Sequence, residues 1–183
     1  MTQPDLTYSG GIARVVLGPG WRASTDASEL RSTWRLLQQD ADVAGVAVIA
    51  PSEGSDGEPA EQPPSDQDGL GPKTNGLLKP FGVGIAGPVR DEILQLVAEA
   101  DAVLATPDAT LADTSLRHGM FPVHAFALRA VLPGPEALRI GLFAGLEAMS
   151  SDRALQLELV NAVVSDDQLE PELLRRLRLL VPQ

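Results

Sequence analysis

The sequence contains no cysteine. That excludes a disulfide scaffold, a thiolate nucleophile and a cysteine-based zinc site, and it accords with a reducing cytoplasm, the expected location. Aromatic residues are scarce at 4%, so a core must be built mainly from Ala, Val and Leu. Positive charge is scarce too: 14 Lys and Arg stand against 25 Asp and Glu, a formal net charge of -11. Such a chain lacks the basic face that non-specific binding to nucleic acid or anionic lipid requires, and neither partner is expected. No apolar run is long enough to span a bilayer, and the opening MTQPDLTYSG has no basic start followed by an apolar stretch. His118 and His124 are the only histidines and have no third ligand motif, so no metal site is expected. P-loop, dinucleotide and Ser-His-Asp patterns are also missing. What remains is a chain of 183 residues with 44% hydrophobic content, enough for one domain around one substantial core.

Strand and helix patterns alternate along it. Residues 12–17, IARVVL, form a β-branched run closed by Gly18-Pro19-Gly20. A helix is expected from a cap at Thr25 or Asp26 to about Gln39, with Leu30, Trp34 and Leu37 facing inward. Val43 to Ala50 is a continuous apolar run that suits a strand buried on both faces. From Pro51 to about Asn75 the composition turns to Pro, Gly, Ser and acids, which predicts a flexible acidic loop. Strands follow at Phe81–Ala86 and Ala102–Thr106, with a helix over Asp91–Ala100 between them. Thr110 to Leu116 reads as extended, Val123–Ala130, Pro135–Leu142 and Ser151–Glu158 as helical, and Val160–Val164 as a final strand. The last helix is expected over Pro171–Leu180, with a stripe of Leu173, Leu174, Leu177 and Leu180 that must be buried somewhere. Its Arg175, Arg176 and Arg178 form the one basic cluster, read either as a solvated face or as a partner or phosphate contact. This alternation predicts a mostly parallel α/β arrangement. The expected organisation is a core over residues 1–170, with the loop at 51–75, and a C-terminal helix over 171–183.

The most informative stretch is Lys79 to Asp101, KPFGVGIAGPVRDEILQLVAEAD. A Lys-Pro, a short apolar strand, a Gly-Pro turn and a helix ending before an Asp occur in that order. The layout resembles the crotonase (enoyl-CoA hydratase/isomerase) superfamily. The opening GIARVVLGPG resembles that family's first strand. Leu36 to Ala50 is similar to its helix-then-strand pattern, and Gly134 to Val164 to its late helix, turn and strand. The likeness covers most of the chain, with the acidic loop as the poor match. It implies an α/β crotonase-like fold of repeated β-β-α spiral turns, with a shortened C-terminal helical region. It also implies self-association, or association with a homologue.

The resemblance further implies an acyl-CoA or acyl-carrier thioester as ligand, coenzyme A entering only as part of it, with no separate cofactor. In that family two backbone N–H groups polarise the thioester oxygen, which works because fixed dipoles face developing charge. Counting from Gly87 and Pro88, which would border the substrate, one donor falls on the Glu92 N–H. Carboxylates there have a second reading, as acids that favour a helix N-terminus. The two glutamates that manage water in hydratases correspond to Gln95 and Ser115. Neither can accept a proton as a carboxylate does, so the usual two-carboxylate hydration is not expected. If residues 111–115 are extended, Asp113 shares a side with Ser115 and could act as a displaced acid or base; otherwise Asp113 is a solvent-facing turn residue. His118 adjoins Gly119-Met120-Phe121-Pro122, which resembles the Gly-Leu-Ile-Pro segment lining the family's acyl pocket. His118 is read as a pocket proton donor or as a loop residue, with Phe121 and Pro122 as pocket lining. Two functions follow: an enzyme of the hydratase, isomerase or decarboxylase class with altered residues, or a catalytically inactive homologue that serves as a binding or scaffolding partner.

Overall fold

The computed structural model describes residues 5–18, 23–50, 70–119, 121–143 and 147–181, with the backbone alone for residues 23–27 and 118. Two strands, β1 (Asp5–Ser9) and β2 (Ile12–Val16), pair antiparallel. They turn through Gly10 and Gly11, whose φ values of 57° and 78° suit a two-residue hairpin. The chain then runs through α1 (Ala23–Gln39), β3 (Gly45–Ala50), β4 (Phe81–Ile85), β5 (Pro88–Arg90), α2 (Ile93–Glu99), β6 (Ala102–Ala105) and β7 (Thr110–Ala112). A 3-10 turn at Ser115–His118 leads to α3 (Val123–Ala127), a second 3-10 turn (Leu128–Ala130) and α4 (Gly134–Phe143). The rest is β8 (Met149–Ser150), α5 (Ser151–Gln156), β9 (Ala162–Val163) and α6 (Asp166–Leu180).

A six-stranded sheet has the order β1-β2-β3-β4-β6-β9. Every pair from β2 onward is parallel, as the continuous apolar runs predict. A smaller sheet, β5-β7-β8, stands apart, with β5 and β7 parallel and β8 antiparallel to β7.

Strand alternation sorts the large sheet into two faces. Val15, Val46, Val48, Phe81, Val83, Ile85 and Val103 enter the main core, together with Leu30, Trp34 and Leu37 of α1. Trp34 meets Phe81 edge-to-face at 5.9 Å between ring centroids, and its Nε1 donates to the Leu70 carbonyl at 3.0 Å. Ile12, Ala47, Ala102 and Leu104 point the other way and pack against Leu169, Leu173, Leu174 and Leu177 of α6. Leu173, Leu174 and Leu177 of the expected stripe are therefore docked on this chain's own sheet, whereas Leu180, also expected to be buried, is exposed. Glycines in β4 let the helix come close: a Cβ on Gly82 would lie 2.9 Å from Leu173 Cδ1.

The Lys-Pro and terminal-Asp frame has a structural use. Lys79 Nζ donates to the carbonyls of Leu37 and Asp40 at 2.6 and 2.5 Å, closing the C-terminus of α1. Asp101 accepts the Phe81 N–H at 2.9 Å and pairs with Lys73.

Several boundaries differ from the sequence reading. α1 starts at Ala23, ahead of the expected caps Thr25 and Asp26. α2 is shorter, because Asp91 has φ 47° and stands outside it. The extended reading of 110–116 holds only to Ala112. Thr114, at φ -90° and ψ 1°, bends the chain into the 3-10 turn. Ser150, not Ser151 or Asp152, caps α5, its side chain accepting the Arg153 N–H. α6 begins at Asp166, with Ser165 as N-cap residue and Asp166 and Asp167 in its first turn; Pro171 lies inside it. Most of the expected acidic loop, residues 51–69, lies outside the described residues. Its last part is turn structure in which Leu70 is buried.

Candidate functional site

The region singled out by the sequence lies where β5 hands over to α2, next to the end of β7. Gly87, at φ 77°, turns the chain out of the large sheet, and its N–H donates to Thr106 Oγ1 at 3.0 Å. The Thr106 hydroxyl donates in turn to Asp108 at 2.6 Å. Pro88 opens β5, which pairs with β7 so that Arg90 faces Ala112.

The two acids that follow behave differently from each other. Asp91 donates its N–H to the Ala112 carbonyl at 3.0 Å, while its carboxylate accepts the Thr114 N–H at 2.6 Å and hydroxyl at 2.8 Å. It stitches the start of α2 to the end of β7 instead of serving the helix terminus. Glu92 is the N-cap residue, already helical at φ -60° and ψ -28°, and its side chain makes no capping hydrogen bond. The two acids expected to favour the helix N-terminus thus stand just ahead of α2, whose own first turn from Ile93 carries no acid, with Glu92 at the N-cap.

Gln95, one turn into α2, is clasped on both sides. Its Oε1 accepts the Leu70 N–H at 2.7 Å, and its Nε2 lies 3.0 Å from His124 Nδ1. His124 is buried in α3. Nothing in the sequence linked positions 70, 95 and 124, which only tertiary packing brings together.

Asp113 is 1% exposed, which corrects the reading of a solvent-facing turn residue. The bend at Thr114 also removes the extended arrangement that would have set Asp113 beside Ser115 at strand spacing. Instead Asp113 Oδ1 accepts the Ser115 N–H at 3.0 Å and Oδ2 accepts the Ala125 N–H at 2.7 Å. The carboxylate thus closes the 3-10 turn and one exposed end of α3. Ser115 is buried beside it.

His118 ends the 3-10 turn, and its side chain lies outside the described residues. Phe121 is 61% exposed, and its ring lies 4.9 Å from that of Phe126. Pro122 is buried and packs on Gly141 of α4, where an added Cβ would come within 2.7 Å of it. The fold thus gathers Glu92, Asp113 and Ser115 around the Asp91–Thr114 contact. Gln95 lies one turn further along α2, and Phe121 and Pro122 lead into α3.

Elsewhere, the arginine cluster of α6 is largely paired. Glu172 accepts from Arg175 Nε at 2.6 Å and Arg176 Nε at 2.8 Å. These two hydrogen bonds pull the Glu172 pKa down to about 2. Arg178 lies against the β1–β2 hairpin, with Nη2 3.4 Å from Ser9 Oγ. A cleft of about 440 Å³ opens between α4, β8 and α5, lined by Arg139, Ile140, Phe143, Met149 and the ion pair Glu136–Arg153. None of the expected site residues lines it. Among the described residues, no group of three or more His, Asp or Glu side chains could hold a metal ion, and no helix is long and apolar enough to cross a membrane.

Sheet order, the α2 handover and the α6 docking together define a crotonase fold, and comparison with solved structures agrees. An enoyl-CoA hydratase/isomerase from Mycobacterium paratuberculosis superposes with a TM-score of 0.81 at 20% identity, covering 98% of this chain and 75% of that one. DspI of Pseudomonas aeruginosa gives 0.81 at 18%, covering 98% and 80%. An enoyl-CoA hydratase from Mycobacterium smegmatis gives 0.75 at 25%, covering 100% and 83%. No family model and no curated protein matches the sequence. At these identities the likeness establishes the architecture: the chain has the crotonase fold.

Proposed function

We propose that the protein binds an acyl-CoA or acyl-carrier thioester at the start of α2 and does not hydrate it by the two-carboxylate route. One observation carries this reading. The crotonase fold is kept through the α2 handover, yet each side chain that could replace the hydratase acids there is a non-acid or is already engaged. Gln95 is held by Leu70 and His124, Ser115 has no carboxylate, and both Asp113 oxygens accept backbone N–H groups. In this reading the thioester is polarised by backbone N–H groups at the start of α2 and not by these side chains, with the Glu92 N–H as the candidate donor. Isomerase or decarboxylase chemistry, which needs an enolate stabiliser more than a pair of water-handling acids, is the reaction class this arrangement serves best.

Calorimetry with a panel of acyl-CoAs tests it, using protein freed of co-purifying homologues. Micromolar binding of at least one member is expected, without hydration of an enoyl-CoA. Glu92→Gly should tighten that binding, since it removes bulk and negative charge beside the donor. No binding across the panel would overturn the proposal.

A second reading, a binding or scaffolding partner of an active homologue or of a second copy, is favoured by a separate observation. Leu116, Phe121, Val123, Leu138, Leu142 and Phe143 are all exposed on the 3-10 turn, α3 and α4, elements that pack together, and apolar side chains of this kind are what a partner would cover. Sedimentation of the purified protein separates the cases: a monomer at all concentrations counts against self-association.

A further inference from the structure

Three segments far apart in sequence meet at Gln95, and the chemistry of hydrogen-bond donors orders the contacts made there. The Leu70 N–H can only donate, so the Gln95 atom 2.7 Å from it is the amide oxygen. The amide nitrogen therefore faces His124 Nδ1 at 3.0 Å. An NH2 group also only donates, so Nδ1 must offer a lone pair. A neutral His124 imidazole that carries its proton on Nε2 is the form that satisfies this contact. Among the described residues, Gln95 is the hydrogen-bond partner of that ring.

We infer that His124 is a positioning residue: its neutral Nε2–H form holds Gln95, and through Gln95 the Leu70 backbone, against α2, and its protonation releases that hold. A proton on Nδ1 would set an N–H against the Gln95 NH2. Turning the amide to restore this contact would present the NH2 to the Leu70 N–H instead. One of the two bonds is lost whichever way the amide lies. Most of the charged groups on or beside the elements packed against α3 are engaged elsewhere. Asp113 binds the Ser115 and Ala125 N–H groups, Asp91 binds Thr114, and Glu99 binds the Lys73 and Thr74 N–H groups. Glu136 pairs with Arg153, and Arg129 lies over the Phe126 ring. Glu92 and Arg139 complete that set. That this hold shapes ligand affinity rests on the thioester reading above; that it governs Leu70 does not.

The test is NMR of the full chain, labelled at histidine and backbone nitrogen, over a pH series. Wild-type His124 should show the Nε2–H tautomer, and the protection factor of the Leu70 amide should fall roughly three- to tenfold as His124 protonates, the equivalent of one net hydrogen bond. His124→Asn keeps an acceptor near the Nδ1 position and cannot take a proton. It should hold Leu70 protected at every pH, whereas His124→Phe should show the lowered protection at every pH. An Nδ1–H tautomer, or Leu70 protection that stays constant through the His124 titration, overturns the inference. Acyl-CoA calorimetry on the same proteins separates the two claims. Affinity that follows Leu70 protection in the wild type but is flat with pH in His124→Asn supports both. Affinity whose pH profile is the same in His124→Asn as in the wild type overturns the link to ligand. Absence of binding in all three overturns the thioester reading, while the Leu70 data still decide the role of His124.

Discussion

Asp113 is the residue at which a catalytic and a structural role predict opposite results. Asp113→Asn keeps the shape of the side chain and removes only a charge and one acceptor. Both oxygens now accept backbone N–H groups, from Ser115 at 3.0 Å and from Ala125 at 2.7 Å, in a site with 1% exposure. An Asn can satisfy one of those donors with its oxygen, as a neutral bond, and must set its NH2 against the other. Hydrogen bonds to a charged group are worth about 1.5–3 kcal/mol each, and a neutral one about 1. The substitution should therefore cost about 2–4 kcal/mol, since little water can enter to replace the lost partner. For a chain of this length that is a fall in Tm of roughly 5–15 °C. Thermal and urea unfolding followed by circular dichroism measure it, with the exposed Asp42→Asn as a control expected to stay within about 0.5 kcal/mol. If Asp113→Asn unfolds with the control, the carboxylate is not spent on the backbone, and a role as displaced acid or base returns.

Three further outcomes are expected. Gly82→Ala should lose about 1–2 kcal/mol. Its Cβ would meet Leu173 Cδ1 at 2.9 Å, Leu177 Cδ2 at 3.2 Å and the Ala102 carbonyl at 3.3 Å, an overpacking cost only partly offset by the stiffer unfolded chain. Gly134→Ala, with nothing within 4 Å of the new Cβ, should be neutral or stabilising, and equal stability of the two variants would refute the close docking of α6. Glu172→Gln should be less stable than wild type at neutral pH, by an amount that vanishes in acid. Because the folded pKa of about 2 lies below the ordinary 4.5, the contribution is fully present above 4.5 and is lost as pH falls toward 2. A difference undiminished between neutral pH and pH 2 would contradict this. Lys79→Met should cost about 1–2 kcal/mol by leaving the Leu37 and Asp40 carbonyls without their ammonium donor; unfolding in urea reads it, and an unchanged midpoint would mean that water caps α1 equally well.

The parallel core was legible because its strands are buried on both faces. Val43–Ala50, Phe81–Ala86 and Ala102–Thr106 therefore read as unbroken apolar runs. Helix α1 was legible from Leu30, Trp34 and Leu37, all of them buried. Strand β1 was not, since every one of its residues is exposed and alternation has no buried side to report. Its one signal was the Gly10-Gly11 pair. Strands β5 and β8, of three and two residues, are too short to carry a period. Pro171 misled the reading of α6, because Pro favours a first helical turn, whereas the Ser165-Asp166-Asp167 start is the signal the chain uses. In the site, positions 92, 95 and 115 could be named through the family's spacing and position 113 through strand alternation. Their surroundings could not be read, because the partners that decide each role come from other segments: Leu70 and His124 for Gln95, Ala125 for Asp113, Thr114 for Asp91.

Those partners bear on function as a group. Asp91, Gln95 and Asp113 each join the β5–α2 handover, or the turn beside it, to a segment distant in sequence, and each does so with the polar atoms that proton transfer would need. A carboxylate that accepts two backbone N–H groups in the interior can take up a proton only by giving up one of them, and an amide held at both ends is not free to orient a water. An acid–base role for these side chains therefore competes directly with the integrity of the turn and helices around them. Backbone N–H groups face no such conflict, because they stay in place whatever the side chains do. The proposed thioester binding accordingly draws on fixed dipoles at the start of α2 and not on these side chains. The arrangement also predicts that changing the polar side chains there will show first in stability and only afterwards in ligand affinity.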